Sequence, residues 1–146
     1  MSQQEKKWPL EGVRVLDLGQ IYNGPYAGFL MAHAGADVIK LEPLHGEILR
    51  QRGGGVVPLS FAMLNTNKRG IAINLKDQIG KNILKDLVKK ADVLLENFSP
   101  DAMDRLGLGS DVLTKINPRL IYASGTGYGL SGPDKNNLAM DLTVQA

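Results

Sequence analysis

Asp141 stands in an apolar setting, Leu138-Ala139-Met140-Asp141-Leu142. A carboxyl group with such neighbours is either a helix cap or an acid whose pKa is raised by desolvation for a chemical task. Two stretches upstream invite an anionic ligand. Gly19-Gln20-Ile21-Tyr22-Asn23-Gly24-Pro25 delivers polar side chains onto a helix start, where free N–H groups and the helix dipole favour negative charge. It reads equally as an ordinary connection. In Ser124-Gly125-Thr126-Gly127-Tyr128-Gly129 the alternating glycines let a ligand approach the backbone, or simply permit tight turns. The pattern is not G-x-G-x-x-G and follows the last predicted strand rather than the first, so it is a poor dinucleotide fingerprint. Glu42, however, ends the second predicted strand, where dinucleotide-binding folds hold an acid for the ribose hydroxyls. A nicotinamide-dependent oxidoreductase domain therefore stays open. Lys68-Arg69 and Arg105 are cations near predicted loop or helix ends, suited either to phosphates or to solvent. His33 and His45 form no ligand pair and cysteine is absent, so no metal is expected.

These residues need a frame, and the chain alternates short apolar runs with amphipathic segments as βαβ units do. Strands are predicted at Val13–Leu18, Asp37–Leu41, Gly70–Asn74, Asp92–Leu95 and Leu120–Ser124. Most are rich in Val, Ile and Leu without alternation, as strands covered on both faces are. The expected fold class is α/β: an open, mostly parallel, Rossmann-like sheet with helices on both faces, truncated. A helix from Gly24-Pro25 to Ala34 carries Ala27, Gly28, Ala32 and Ala34, small enough for close approach to the sheet. A second, about Asp77 to Lys90, places Ile79, Ile83 and Leu87, with Leu84 and Val88 offset by one, on its apolar face. Lys81, Lys85, Lys89 and Lys90 are expected on its solvated face. Short helices follow Ser99-Pro100 and start at Ser110, the latter with Ser110 as cap. Gly46 to Pro58, with Gly53-Gly54-Gly55, reads as an irregular excursion.

With 43% hydrophobic and 22% charged residues in 146, the chain can build a core. A net charge of +2 without basic clusters gives no reason to expect nucleic acid. The polar start, Met1 to Lys7, is not a secretory signal, and no apolar run reaches the roughly 20 residues of a membrane helix. Cytoplasmic localisation is the expectation. Because Leu138 to Ala146 is apolar yet ends without cap or turn, the chain is expected to be a fragment: a polar tail over 1–9, then part of a larger domain over 10–146.

In combination the motifs resemble the opening of family III coenzyme A transferases, the formyl-coenzyme A:oxalate and carnitine coenzyme A transferase family. The resemblance lies in Leu10-Glu11-Gly12-Val13-Arg14-Val15-Leu16-Asp17, Gly24-Pro25 and Gly35-Ala36-Asp37-Val38-Ile39-Lys40-Leu41-Glu42-Pro43. It continues in Asn67-Lys68-Arg69, Ala91-Asp92-Val93-Leu94-Leu95-Glu96-Asn97-Phe98, Asp104-Arg105-Leu106-Gly107 and Asn117-Pro118-Arg119-Leu120-Ile121. Asp141-Leu142-Thr143-Val144-Gln145-Ala146 is similar to a D-x-x-x-Q-A segment of the family. The resemblance implies transfer of coenzyme A between an acyl-coenzyme A donor and a small carboxylic acid, with Asp141 as nucleophile and two interlocked chains. It further implies that Gln20, Tyr22, Asn23, Asn65, Lys68, Asn97, Phe98, Ser99, Arg105, Thr126 and Gly127 line the coenzyme A site. Gln20 replaces a histidine of some members, Pro43 an arginine and Thr126 a lysine; the phosphates are then expected to lean on Lys68 and Arg105. Racemase relatives use a histidine beside the aspartate, and none lies near Asp141. A non-catalytic coenzyme A binding remnant is the alternative from another class.

Overall fold

A computed structural model describes residues 8–145, and for Asp141 and Val144 the backbone without the side chain. The expected tail over 1–9 thus lies outside the described residues up to Lys7, as does Ala146. The five expected strands form one sheet: β1 (Arg14–Asp17), β2 (Asp37–Glu42), β3 (Arg69–Ala72), β4 (Val93–Glu96) and β5 (Ile121–Ser124). Every neighbouring pair is parallel, in the order β3-β2-β1-β4-β5. The chain winds outward from β1 to β3, then crosses back to lay β4 against the other side of β1. The loops leaving β1 and β4 therefore diverge and open a crevice at the C-terminal ends of the strands, the switch point where open α/β sheets bind ligands.

Helices cover both faces. On one side α1 (Asn23–His33) buries Gly28 and Ala32 against Val15, Val38 and Leu95. Gly28 is there because a Cβ would lie 2.7 Å from Asp17 Oδ2. On the other side α4 (Gln78–Val88), α5 (Ala102–Arg105) and α6 (Ser110–Ile116) close over Leu16, Ile39, Leu41 and Leu94. Between β2 and β3 lie α2 (Ile48–Gln51) and α3 (Leu59–Leu64), whose Leu49, Phe61 and Leu64 form a small separate core. The expected irregular excursion thus holds one turn of helix, and α3 follows it directly.

Three local expectations need correction. The face α4 buries is Gly80, Leu84 and Val88; Ile79 is 72% exposed and Ile83 is 40% exposed, while Lys81 and Lys85 are half-buried. Gly80 sets this rotation, since it alone lets the helix pass close to the Asn74 carbonyl. Ser110 is the first helical residue rather than the cap, which is Gly109 without a side-chain bond. Residues Asp141–Gln145 form a short helix, α7, where the sequence offered only the possibility of a cap.

Candidate active site at the switch point

The turn after β1 is held almost entirely by side chains. Asp17 Oδ1 accepts from Gly19 N at 2.8 Å, and the buried Lys40 ammonium donates to the Gly19 carbonyl. Across the switch point the Asn97 amide grips Gln20 on both sides: Oδ1 accepts from Gln20 N at 2.6 Å and Nδ2 donates to Gln20 O at 2.9 Å. Gly19 and Gly24 touch backbone to backbone, and a Cβ on either would lie within 2.6 Å of the other's Cα. The loop thereby folds tightly against the start of α1, with Tyr22 and Asn23 exposed.

Around this turn three clefts meet. A cleft of about 390 Å3 is walled by Gln20–Asn23, Asn97 and Gly125–Gly127, with Arg52 at its side and Ala139, Met140 and Gln145 opposite. A second, of about 360 Å3, is mainly apolar, bounded by Leu18, Leu41, Pro43, Ile73, Phe98 and Leu106. A third, of about 340 Å3, is polar, with Glu96, Ser99, Tyr122 and Thr126 on its walls. Gln20 borders the first two and Thr126 the first and third, so the clefts form one continuous surface. Burial beside Glu96 pushes the Tyr122 hydroxyl above its ordinary pKa, so it stays protonated.

Of the expected site residues, Gln20, Tyr22, Asn23, Asn97, Thr126 and Gly127 converge on the first cleft. Phe98 and Ser99 stand on the adjoining walls. Three residues are elsewhere. Lys68 points inward beneath α1: its ammonium is 2.7 Å from Asp17 Oδ2 and donates to Pro25 O at 2.8 Å and Asn65 Oδ1 at 3.1 Å. All three of its protons are thus donated inside the fold. Its side chain is 1% exposed, and burial lowers its pKa against the pull of Asp17. Asn65 spends its amide on Lys68 and on the Phe61 carbonyl. Neither lines any of the three clefts. Arg105 is exposed on α5, its Nη1 3.2 Å from the Pro100 carbonyl, and lines none of the three clefts.

Glu42 does not stand free for a ribose. Its carboxylate pairs with Arg50 at 2.7 and 3.0 Å and accepts from Glu47 N at 3.1 Å. Burial opposes ionisation, but the hydrogen bonds from Arg50 and the Glu47 N–H, with the charges of Arg50 and Lys40, together hold the pKa below its ordinary value. Arg69 pairs with Asp37 at the opposite, N-terminal end of the strands. The sequence reading also missed Arg52, the cation beside the principal cleft, because it lies in the stretch taken as an excursion; its only signal was a charge just before three glycines. Asp141 opens α7 directly after Met140, at the rim; its side chain lies outside the described residues. Its flanking apolar residues were expected to desolvate it. Leu138, Met140 and Leu142 are themselves 70%, 63% and 84% exposed.

Residues 10–146 match the family model described as CoA-transferase family III. The chain is 46% identical over 140 residues to the formyl-CoA:oxalate CoA-transferase of Streptomyces coelicolor, covering 94% of this chain and 34% of that protein. It is 46% identical over 143 residues to the acetyl-CoA:oxalate CoA-transferase of Acetobacter aceti, covering 96% of this chain and 37% of that one. Among solved structures, a CAIB/BAIF family protein of Brucella suis superposes with a TM-score of 0.90 at 36% identity, over 94% of this chain and 38% of that one. The hypothetical protein Rv3272 of Mycobacterium tuberculosis gives 0.86 at 40% identity, over 92% and 37% respectively, and has also been solved as an aspartate-to-alanine variant. The chain thus spans about a third of the length of the relatives it matches. With the family model matched over residues 10–146 and these relatives agreeing in sequence and fold, the chain belongs to CoA-transferase family III.

Proposed function

We propose that this chain supplies the coenzyme A cleft of an enzyme that transfers coenzyme A between an acyl-coenzyme A donor and a carboxylic acid. The observation that carries this is the meeting of Gln20–Asn23, Asn97 and Gly125–Gly127 in one cleft beside an apolar one, in a family III chain. The apolar cleft suits the adenine end of the coenzyme, and Arg52 takes the place expected of Lys68 as the cation facing a phosphate. In the reaction a carboxylate oxygen attacks the thioester carbonyl, the C–S bond breaks, and coenzyme A leaves as thiolate. The thiolate attacks the enzyme's carbonyl of the resulting mixed anhydride, expelling the donor acid and leaving an enzyme thioester. An acceptor carboxylate attacks that thioester, and the same two steps in reverse order release the new acyl-coenzyme A and the free enzyme carboxylate. Backbone N–H groups of the Gly125–Gly127 turn are suited to hold the oxyanion.

Asp141 is one proposed nucleophile. A second reading is favoured by the exposure of its apolar neighbours, since Leu138, Met140 and Leu142 stand in solvent and offer none of the apolar cover that would sharpen a carboxylate nucleophile. On that reading the acylated carboxylate lies outside this chain, in a protein of the relatives' full length. The experiment treats such a protein with acyl-coenzyme A, traps with hydroxylamine and maps the modified peptide. Label on the Asp141 peptide, lost in Asp141→Ala, supports the first reading; label on another carboxylate supports the second. Turnover without any modified carboxylate overturns both. Calorimetry on the 146-residue chain separates the classes, since an oxidoreductase domain binds NAD in preference to coenzyme A.

A further inference from the structure

Ile21 has φ 62°, a left-handed conformation that a β-branched residue adopts only under constraint. Its N–H is taken by Glu47 Oε2 at 3.1 Å, from a residue 26 positions later in the chain. Glu47 is 1% exposed, and its other oxygen has no hydrogen-bond partner among the described residues. A buried carboxyl group is costly to place, and the bond to Ile21 is what offsets part of that cost. Glu47 is itself held from behind: its N–H donates to Glu42, which is clasped by Arg50. It borders the apolar cleft, whereas Ile21 borders the first cleft beside Asn97. Asp17 and Lys40 fix Gly19, and Asn97 holds the Gln20 N–H and the Gln20 carbonyl, but none of them binds the Ile21 N–H, where the chain turns into Tyr22 and Asn23.

We infer that Glu47 is a positioning residue: its bond to the Ile21 N–H holds that residue left-handed and so fixes the Gln20–Asn23 wall between the two clefts. This rests on the coenzyme A reading only for the ligand. The strain at Ile21 is stored where it shapes a binding wall, with Glu47 holding the N–H side of the Gln20–Ile21 peptide and Asn97 its carbonyl side.

The test combines amide hydrogen exchange of the chain with calorimetric titration of coenzyme A. In Glu47→Ala, exchange at Ile21 accelerates roughly tenfold to a hundredfold while amides of β1 and β4 keep their rates, and coenzyme A binds about tenfold more weakly. Glu47→Gln keeps an acceptor and restores both within about threefold. Glu47→Asp, one methylene too short, behaves as the alanine variant does and serves if that variant fails to fold. In an Ile21→Gly background the loss from Glu47→Ala shrinks, because glycine accepts the left-handed conformation unaided. Unchanged exchange at Ile21, equal acceleration in β1 and β4, or a glutamine variant as impaired as alanine would overturn the assignment. If coenzyme A does not bind even the unaltered chain, the proposed function fails, while the exchange measurement still decides the role of Glu47.

Discussion

Replacing Lys68 with methionine separates a cation that holds a ligand from one that holds the fold. The ammonium and the Asp17 carboxylate are 1% and 0% exposed and 2.7 Å apart, with Gly28 pressed against both. Methionine fills most of the volume but leaves Asp17 with a single partner, the Gly19 N–H. Removing one member of a buried pair costs about 3–5 kcal/mol, because the other is left charged and unsolvated. For a chain of this size that lowers the melting temperature by roughly 10 to 15 °C. The exposed Arg69–Asp37 pair, at 64% and 35% exposure, provides the control: Arg69→Met costs about 1 kcal/mol or less. Asp17→Asn combined with Lys68→Met removes both charges yet keeps an acceptor for Gly19, and recovers most of the loss. Urea unfolding followed by circular dichroism measures all four proteins. The reasoning fails if Lys68→Met unfolds within about 1 kcal/mol of the unaltered chain while binding coenzyme A tenfold or more weakly, for then the lysine serves the ligand.

Asn97→Ala removes two hydrogen bonds to Gln20, costing about 1–3 kcal/mol, and weakens coenzyme A binding by calorimetry; Asn97→Asp, which keeps only the acceptor, falls between. Arg52→Ala weakens coenzyme A binding about tenfold, with a deficit that shrinks as salt rises, whereas Arg105→Ala leaves affinity within about threefold. Stability falls on acidification: although burial opposes it, the hydrogen bonds and positive charges around Asp37 and Glu42 together hold both below their ordinary values, so their contribution is present above those values and lost as pH falls through the folded-state ones. Urea midpoints should therefore drop below about pH 5, and Arg50→Met should flatten the Glu42 share of that drop.

All five strands and the helices α1, α4, α5 and α6 were legible in the order of residues, because buried parallel strands and punctuated helices leave periodic apolar runs and Gly, Pro and Asp signals that are local. Helix α3 was missed, lying directly after a glycine-rich stretch that masks its start. The loops that form the candidate cleft were legible for the same local reason, as polar or glycine-rich turns following strands. What the sequence could not determine is the direction in which a long side chain points. Lys68 and Arg52 are both cations near loops, yet one is drawn under α1 by Asp17 and the other stands at the cleft. Asn97 has the right place for a ligand contact, but its amide is consumed by Gln20, 77 residues away in sequence. Glu47 left no signal at all, since its partner is the backbone of Ile21 and a backbone N–H has no residue type. Such choices are made by packing, where the cost of leaving a buried polar group unpaired exceeds any local preference, and only the folded chain brings the competing partners together.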